Sequence, residues 1–249
     1  MKNIKKISIA ALSAAIATVG ITTEAAAQDR DTGFYVSGSV GLNVQSDHNF
    51  SGIQAHAAGV PGVAGAPANI NVDYDNGINL TGAVGYSFNS GIISFLKPRV
   101  ELEVSYSDAD VNAGSFNGGT QTFSGNTSTT FVKAALYSDI VWKDNQKVIP
   151  YFGSGIGIGI VDANVNYFPG TATAPTVGVN SNRTGLATHS SLGVTWKATD
   201  AFDLYAEGRY SRVSRRTFDR RFLATNGLNA RVRDNTESLA FSLGARVKF

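Results

Sequence analysis

The chain has 249 residues, of which 16% are charged, and it contains 27 glycines, 14 phenylalanines, 9 tyrosines and no cysteine. This Gly-rich and aromatic-rich composition favours β-structure over helix, and the lack of cysteine excludes disulfides and thiolate metal sites. The formal net charge of +2 is too small to indicate a nucleic-acid-binding protein.

Residues 1–27 have the pattern of a cleavable signal peptide. A basic start, MKNIKK, precedes the apolar stretch ISIAALSAAIATVGI, and Ala25-x-Ala27 matches a signal peptidase site. The apolar stretch is shorter than the ~18 residues of a spanning helix, which argues against an uncleaved anchor. We therefore expect a mature domain of residues 28–249. Removal of the signal leaves 18 basic and 18 acidic residues, a net charge of zero.

The mature chain shows the two-residue periodicity of β-strands and no helical periodicity. Apolar residues alternate with small or polar residues in eight segments. These segments are 33–44, 77–88, 99–111, 131–142, 151–161, 186–196, 201–212 and 238–249. Each segment is long enough to cross a bilayer as a strand, which takes ~9–11 residues. Any membrane-spanning part must therefore be a closed barrel, since backbone polar groups need partners in lipid.

The connections between these segments alternate between long and short. The long ones are 45–75, 112–127, 163–184 and 213–233. This rhythm predicts an all-β fold, an eight-stranded antiparallel up-and-down transmembrane β-barrel with long extracellular loops and short periplasmic turns. A water-soluble sandwich or lipocalin-like barrel is the alternative, with its apolar face inward, because alternation alone does not distinguish inside from outside.

Aromatic residues cluster at the strand ends, as in the interfacial girdles of membrane barrels. Those at the short-turn ends are Phe34, Phe88, Trp142, Phe152, Trp196, Phe202 and Phe249. A second ring is predicted at the long-loop side from Tyr74, Tyr106, Phe131, Tyr167 and Tyr210. With the signal peptide and the loop rhythm, the girdles favour the membrane barrel.

The opening GFYVSGSVGLN, the closing SLGARVKF and the eight alternating segments resemble the outer-membrane β-barrel family of Gram-negative bacteria. That family includes small OmpA-like barrels and alphaproteobacterial porin-family surface antigens. The resemblance implies location in the cell outer membrane and recognition of the last strand by the barrel-assembly machinery during biogenesis. The residues that match this C-terminal assembly signal are Phe241, Leu243, Ala245, Val247 and Phe249.

If the apolar face meets lipid, the alternate positions line the barrel interior with charged residues. This predicted lumen network is Arg99, Glu101, Glu103, Lys133, Asp139, Lys197, Asp203, Glu207, Arg209, Arg246 and Lys248. Two interpretations stay open: a salt-bridged plug or a gated ion path. Glycines at alternate positions of the fifth segment, from Gly153 to Gly159, leave room for long side chains opposite or for water.

The stretch after the seventh segment is rich in arginine. We predict contacts with outer-membrane lipid, including the phosphates of lipopolysaccharide, because arginine binds phosphate bidentately. The residues concerned are Arg212, Arg215, Arg216, Arg220 and Arg221. A solvated loop in which Asp219 and Asp234 neutralise these side chains is the other interpretation.

His189-x-Ser191 faintly resembles the base and nucleophile of outer-membrane lipid A deacylases, with Asp203 or Glu207 as the acid. However, Leu192 stands where that family usually has Asn, and the strand phase points His189 inward. We expect a non-enzymatic, surface-exposed barrel that contributes to envelope integrity and exterior interactions. A narrow porin-like channel for ions or small solutes is the alternative, and a lipid hydrolase the third. No metal, cofactor or nucleic-acid partner is predicted; the extracellular ligand stays open.

Overall fold

The structure is a computed structural model that describes residues 32–55, 59–60, 62–89, 93, 95–117, 119–170 and 172–249. The predicted signal segment 1–27 and the expected mature start at Gln28 lie outside the described residues. These described residues form ten strands: β1 (Gly33–Gln45), β2 (His48–Gln54), β3 (Ile70–Tyr74), β4 (Gly77–Ser87), β5 (Leu96–Phe116), β6 (Gly119–Ile140), β7 (Val148–Phe168), β8 (Val177–Lys197), β9 (Phe202–Phe222) and β10 (Gly227–Lys248). In this described part of the chain, no helix is long and apolar enough to span a bilayer.

The strands pair antiparallel in an eight-membered ring, β1, β4, β5, β6, β7, β8, β9 and β10, which closes between β1 and β10. The two remaining strands continue β1 and β4. β2 pairs with β10 above β1, and β3 pairs with β5 above β4. The predicted eight-stranded barrel is confirmed, and its first two strands are each interrupted once, at 46–47 and 75–76.

The predicted boundaries of the long loops are wrong. β5 to β10 contain 21 or 22 residues each, about twice what a strand needs to cross a bilayer. The predicted loops at 112–127, 163–184 and 213–233 are mostly strand. At this long-hairpin end the connections that remain are 55–69, 117–118, 169–176 and 223–226. These strand halves are rich in polar residues, and their sequence therefore resembles that of long loops.

The lower half of the barrel, next to the short turns, carries its apolar residues outward. We call this outer surface the apolar band, and its exposed members include Phe34, Val40, Leu42, Leu102, Trp142, Ile156, Leu192, Phe241 and Leu243. All seven aromatics predicted at the short-turn end are at least 37% exposed. A continuous apolar surface of this size is typical of contact with lipid. It excludes the soluble-barrel alternative for this half.

The upper half has the opposite polarity. We call it the extension, and it comprises β2, β3 and residues 107–130, 161–185 and 212–236. Its buried core consists of Phe50, Ala68, Ile70, Val72, Phe123, Val161, Ala163, Val165, Val179, Phe218, Ala230 and Val232. Its exposed outer side chains include Asn49, Asn71, Asp110, Asp162, Asn180, Arg231 and Arg233. The extension is thus packed like a water-soluble barrel.

Along β7 the strand phase is the same in both halves, and the inward side chains are odd-numbered throughout, from Tyr151 in the lower half to Val161 and Val165 in the extension. Along this strand only the residue type inverts. In β9, by contrast, an irregularity between Val213 and Arg216 shifts the phase by one residue. The inversion of residue type corrects the predicted upper aromatic ring, because Tyr74, Phe131 and Tyr167 pack in or against the inner core while Tyr210 is exposed.

Candidate functional site

The lower interior holds a charged network whose centre lies between β5 and β9. Arg209 donates through Nη1 and Nη2 to the two carboxylate oxygens of Glu103, at 3.0 Å each. Its Nε donates to Glu207 at 2.8 Å. Tyr137 donates its hydroxyl proton to Glu103. The charges and the phenol therefore satisfy one another directly across the lumen.

A second cluster lies nearer the short-turn end around Arg99, which is 1% exposed. Its Nε donates to Asp139 at 3.0 Å, and Nη1 donates to Glu101 and to the hydroxyl of Tyr35. Tyr35 in turn donates to Glu101 at 2.6 Å. These contacts place three predicted lumen residues in one bonded group.

The remaining predicted lumen residues occupy the short-turn mouth or the middle of the wall. Asp203 lies 3.5 Å from Arg246 and 3.1 Å from Lys248, and Lys197 lines the same mouth. Lys133 is buried directly opposite Glu103 in the β5–β6 register, with its Nζ over the ring of Phe131 at 4.4 Å. All eleven residues therefore lie inside or at the mouth of the barrel.

Four tyrosine–glycine pairs complete the packing, a feature that the sequence analysis missed. In each, a lumen tyrosine lies flat on the glycine directly opposite on the next strand. A Cβ on that glycine would come within 2.1–2.4 Å of the ring. The pairs are Tyr35–Gly85, Tyr137–Gly153, Tyr151–Gly193 and Tyr205–Gly244. Gly153 and Gly155 thus leave room for side chains of neighbouring strands. A run of glycines at every second position, opposite tyrosines, is the sequence signal that could have predicted these pairs.

Little free volume is left inside this part of the barrel. A void of about 10 Å³ lies among Arg99, Glu101, Tyr151, Arg209 and Arg246, which is close to the minimum of ~10–15 Å³ for one water. A second void of about 30 Å³ lies at the short-turn mouth. Around these voids, the described side chains fill the lumen.

His189 and Ser191 both point inward and are 3% exposed. His189 Nε2 lies 3.3 Å from the Tyr137 hydroxyl and Nδ1 lies 3.7 Å from Glu103. The two acids predicted as its partners bind elsewhere: Asp203 at the mouth and Glu207 to Arg209. The predicted triad is therefore not assembled, because the strand register brings Glu103 rather than Asp203 or Glu207 to the imidazole.

The extension buries four titratable side chains above the level of the apolar band. His48 Nδ1 lies 3.2 Å from Asp234 Oδ2, although its direction is not that of a hydrogen bond. Burial lowers the pKa of His48 to about 3 and raises the pKa of Asp234 to about 6. Burial also lowers the pKa of Arg216 and of Arg220 to about 10, so both stay charged at neutral pH.

The five arginines predicted to contact lipid do not share one face. They lie on β9 instead of in a loop. Arg212 and Arg215 are exposed and Arg221 is partly exposed. Arg216 and Arg220 are buried inside the extension, with exposed fractions of 6% and 0%. These two must be removed from the predicted lipid contacts, because an irregularity of β9 between Val213 and Arg216 shifts the alternation by one residue and turns them inward.

The residues predicted as the C-terminal assembly signal follow one another along the outside of β10. Phe241, Leu243, Val247 and Phe249 are exposed and Ala245 is partly exposed. The backbone N–H of Phe249 donates to the carbonyl of Phe34 at 3.0 Å. The signal face therefore borders the seam where the barrel closes.

An open groove of about 610 Å³ lies on the outside of the extension. Its lining is rich in amide and hydroxyl side chains and carries no charge. The polar lining residues are Asn49, Ser51, Gln54, Asn69, Asn71, Ser115 and Asn117. Gln54 orders its edge by accepting from the backbone N–H of Val63 and donating to the carbonyl of Pro67.

Known proteins share this architecture. Residues 13–249 match the model of the outer membrane protein beta-barrel domain. The fold is similar to the outer membrane protease OmpT of Escherichia coli (TM-score 0.53, 8% identity, covering 91% of this chain and 99% of OmpT). It is also similar to the outer membrane protein OprG of Pseudomonas aeruginosa (TM-score 0.50, 13% identity, covering 87% and 95%).

Neisserial surface protein A also matches, with 18% identity, a TM-score of 0.43 and coverage of 87% of this chain and 97% of that protein. A search among curated proteins found no match. At these identities OmpT and OprG support the fold alone. The family model covers nearly the whole chain, and this protein therefore belongs to the outer-membrane β-barrel family of Gram-negative bacteria and is located in the cell outer membrane.

Proposed function

We propose that this protein is a closed, non-enzymatic barrel that holds a rigid tube above the outer membrane, supports envelope integrity and makes contacts with the exterior. The observation that carries the proposal is the filled lumen. Arg209 reaches across the barrel to Glu103 with two hydrogen bonds of 3.0 Å, and tyrosines fill the space beside them. Charged groups that satisfy one another stabilise a plug and leave no solvated path.

A second obstruction lies directly above the first. The interior of the extension is an apolar core that includes Phe50, Phe123 and Phe218, none more than 6% exposed. An ion that passed the charged network would next have to give up its water among closely packed aromatic side chains, at a cost of several kcal/mol or more. These two plugs in series support a barrel that does not conduct and weigh against the porin-like alternative.

The site around His189 gives no support to a hydrolase. Ser191 and His189 face the packed lumen, and each is only 3% exposed. A lipid substrate would need to enter between the strands to reach them. The exterior of the extension is the surface that partners can reach.

Two outward features supply chemistry for such contacts. Arg212 and Arg215 lie two and five residues after Tyr210, which marks the upper edge of the apolar band. They are therefore near the height at which lipopolysaccharide phosphates would lie, and arginine binds phosphate through paired hydrogen bonds. The uncharged amide groove higher on the extension suits a neutral, polar ligand from the exterior.

Planar-bilayer recording of the refolded protein tests the closed barrel. We expect no steady openings from the wild type. We also expect none from an Arg209→Ala/Glu103→Ala variant, because the apolar core of the extension stays in place. Leu243→Ala, on the lipid-facing surface, is the matched control for handling and refolding. Steady single-channel currents from the wild type would contradict the proposal and favour the channel.

A further inference from the structure

Two arginines lie inside the extension on the inner face of β9. Arg216 and Arg220 are four residues apart, with Phe218 between them on the same face. Arg220 is fully buried, only two residues before the end of β9 at the extracellular turn. Buried guanidinium groups normally have carboxylate or hydrogen-bonding partners on all sides, because an unpaired buried charge is costly.

These two side chains have only part of the partners they need. The Nε of Arg220 donates to Asn229 at 2.7 Å, and the ring of Phe116 lies 4.8 Å from its guanidinium carbon. Its Nη1 and Nη2 have no hydrogen-bond partner. In Arg216, Nη2 donates to Thr236, while Nε and Nη1 have none. Four buried donor groups on two charged side chains are therefore unsatisfied.

The charges inside the extension do not balance either. Among the described residues, its buried charged groups are Arg216, Arg220 and Asp234. His48 packs beside Asp234 and is held neutral by burial. Two positive charges therefore face one negative charge, and that carboxylate lies near Arg216 rather than Arg220. No acidic group of the described residues lies beside Arg220.

We propose that the extracellular end of the barrel binds an oxyanion, a phosphate or carboxylate group, on the Nη1–Nη2 edge of Arg220. This edge of a guanidinium accepts such groups through two parallel hydrogen bonds. Asn229 fixes the side chain from its Nε side, and Phe116 covers one face of the guanidinium plane. Arg216, deeper in the same interior, adds a second positive charge. The bound group would neutralise the excess charge.

Phe116 also stacks on Tyr167, with ring centroids 5.0 Å apart and planes 25° from parallel. The wall beside Arg220 is therefore aromatic. Such a wall suits a ligand whose acidic group is joined to a ring or a sugar rather than a bare ion alone. Inorganic phosphate and glucuronate are accordingly the two probes that distinguish the source of the oxyanion.

The test uses refolded protein in detergent micelles, with thermal unfolding followed by tryptophan fluorescence. Ionic strength is held constant with sodium chloride while phosphate or glucuronate is added. We expect a saturable rise in Tm with at least one oxyanion, because a ligand that binds only the folded state stabilises it. Arg220→Gln should weaken the apparent affinity by about tenfold or more, the effect of losing a charge-assisted pair of hydrogen bonds.

Arg221→Gln is the matched control, since it removes the same charge from the next residue on the outer face. It should respond as the wild type does. If Arg220→Gln fails to fold, Arg220→Lys replaces it as the test variant, because lysine keeps the charge without the planar edge. The rise in Tm of Arg220→Lys with the oxyanion should then be smaller than that of the wild type. The proposal is overturned if oxyanions and chloride act alike on the wild type, or if Arg221→Gln loses the response as fully as the Arg220 variants.

Discussion

Arg209 and Glu103 join opposite walls of the barrel through two N–O contacts of 3.0 Å. β9 and β5, which carry them, are four strands apart in either direction around the eight-membered ring. They share no backbone ladder, so the side-chain bridge is a direct link between them. Their neighbours Glu207 and Tyr137 complete the hydrogen bonding of both groups.

Removing one partner of this bridge should destabilise the barrel strongly. Glu103→Ala removes the bidentate partner of Arg209 and leaves Glu207 as its one carboxylate contact, and we expect a loss of about 3–5 kcal/mol in the free energy of unfolding. The double variant Glu103→Leu/Arg209→Met should recover part of that loss, because it also removes the incompletely paired guanidinium, while Glu207 keeps the hydrogen bond from Tyr151. Denaturant unfolding in micelles measures both variants and the two single changes Glu103→Leu and Arg209→Met. A double variant as unstable as the sum of its single changes would contradict this account.

The tyrosine–glycine packing predicts unequal effects of two glycine substitutions. Gly153→Ala places a Cβ 2.1 Å from the Tyr137 ring, and we expect a loss of about 1–3 kcal/mol through overpacking. Gly82→Ala has open space around its Cβ and should be neutral or stabilise by up to about 1 kcal/mol. The same unfolding assay measures both. Equal losses of stability from the two substitutions would mean that the packing of the tyrosine rings does not require a glycine opposite them.

His48 and Asp234 should give opposite pH dependences. The pKa of His48 is lowered from 6.5 to about 3 in the folded state, so the unfolded chain takes up the proton first. Its contribution to stability is complete above about pH 6.5 and is lost as pH falls. The pKa of Asp234 is raised from 3.8 to about 6, so its protonation in the folded state adds stability as pH falls below about 6.

The two effects oppose each other in the wild type, and single variants separate them. His48→Gln should become more stable by about 2 kcal/mol between pH 7 and pH 4.5, whereas Asp234→Asn should become less stable by a similar amount. Unfolding free energies measured at both pH values provide the check. If the unfolding free energies of both variants changed in the same direction between pH 7 and pH 4.5, these two groups would not control the pH dependence of stability.

The outer face of β10 predicts a biogenesis defect. Deleting Phe249 removes an exposed aromatic and the hydrogen bond of its N–H to the Phe34 carbonyl. We expect less folded protein in the outer-membrane fraction of expressing cells, detected by heat-modifiable gel migration. Phe249→Tyr keeps an interfacial aromatic and should assemble normally. Normal assembly of the deletion variant would exclude a role for this residue in recognition by the barrel-assembly machinery.

The outward arginines predict lipid binding. Arg212→Gln/Arg215→Gln should reduce the amount of lipopolysaccharide that the refolded protein retains, by about tenfold if both side chains pair with phosphate. Arg231→Gln/Arg233→Gln is the matched control, since it removes two exposed charges from the outer face of β10, farther from the apolar band. An equal reduction by Arg231→Gln/Arg233→Gln would show that the loss reflects total charge and not contact of Arg212 and Arg215 with lipid.

Much of the architecture could be read from the sequence because it depends on local periodicity. Alternation in segments such as 238–249 identified the strands, and lipid exposure followed from the aromatics at their ends. The extension was misread for a physical reason: its polar residues face water, as loop residues do. Nothing local distinguishes an outward Asn71 in a strand from one in a loop.

The sequence by itself determined the ring, its polarity in the membrane and the inward charges of the lower half, because each depends on a period of two along a strand. Only the tertiary structure decided which inward groups meet. Arg209 and Glu103 are 106 residues apart in the chain, and their pairing depends on the order of strands and their stagger around the ring. The irregularity of β9 after Val213 turned Arg220 inward, with no carboxylate beside it among the described residues, which local periodicity alone did not reveal.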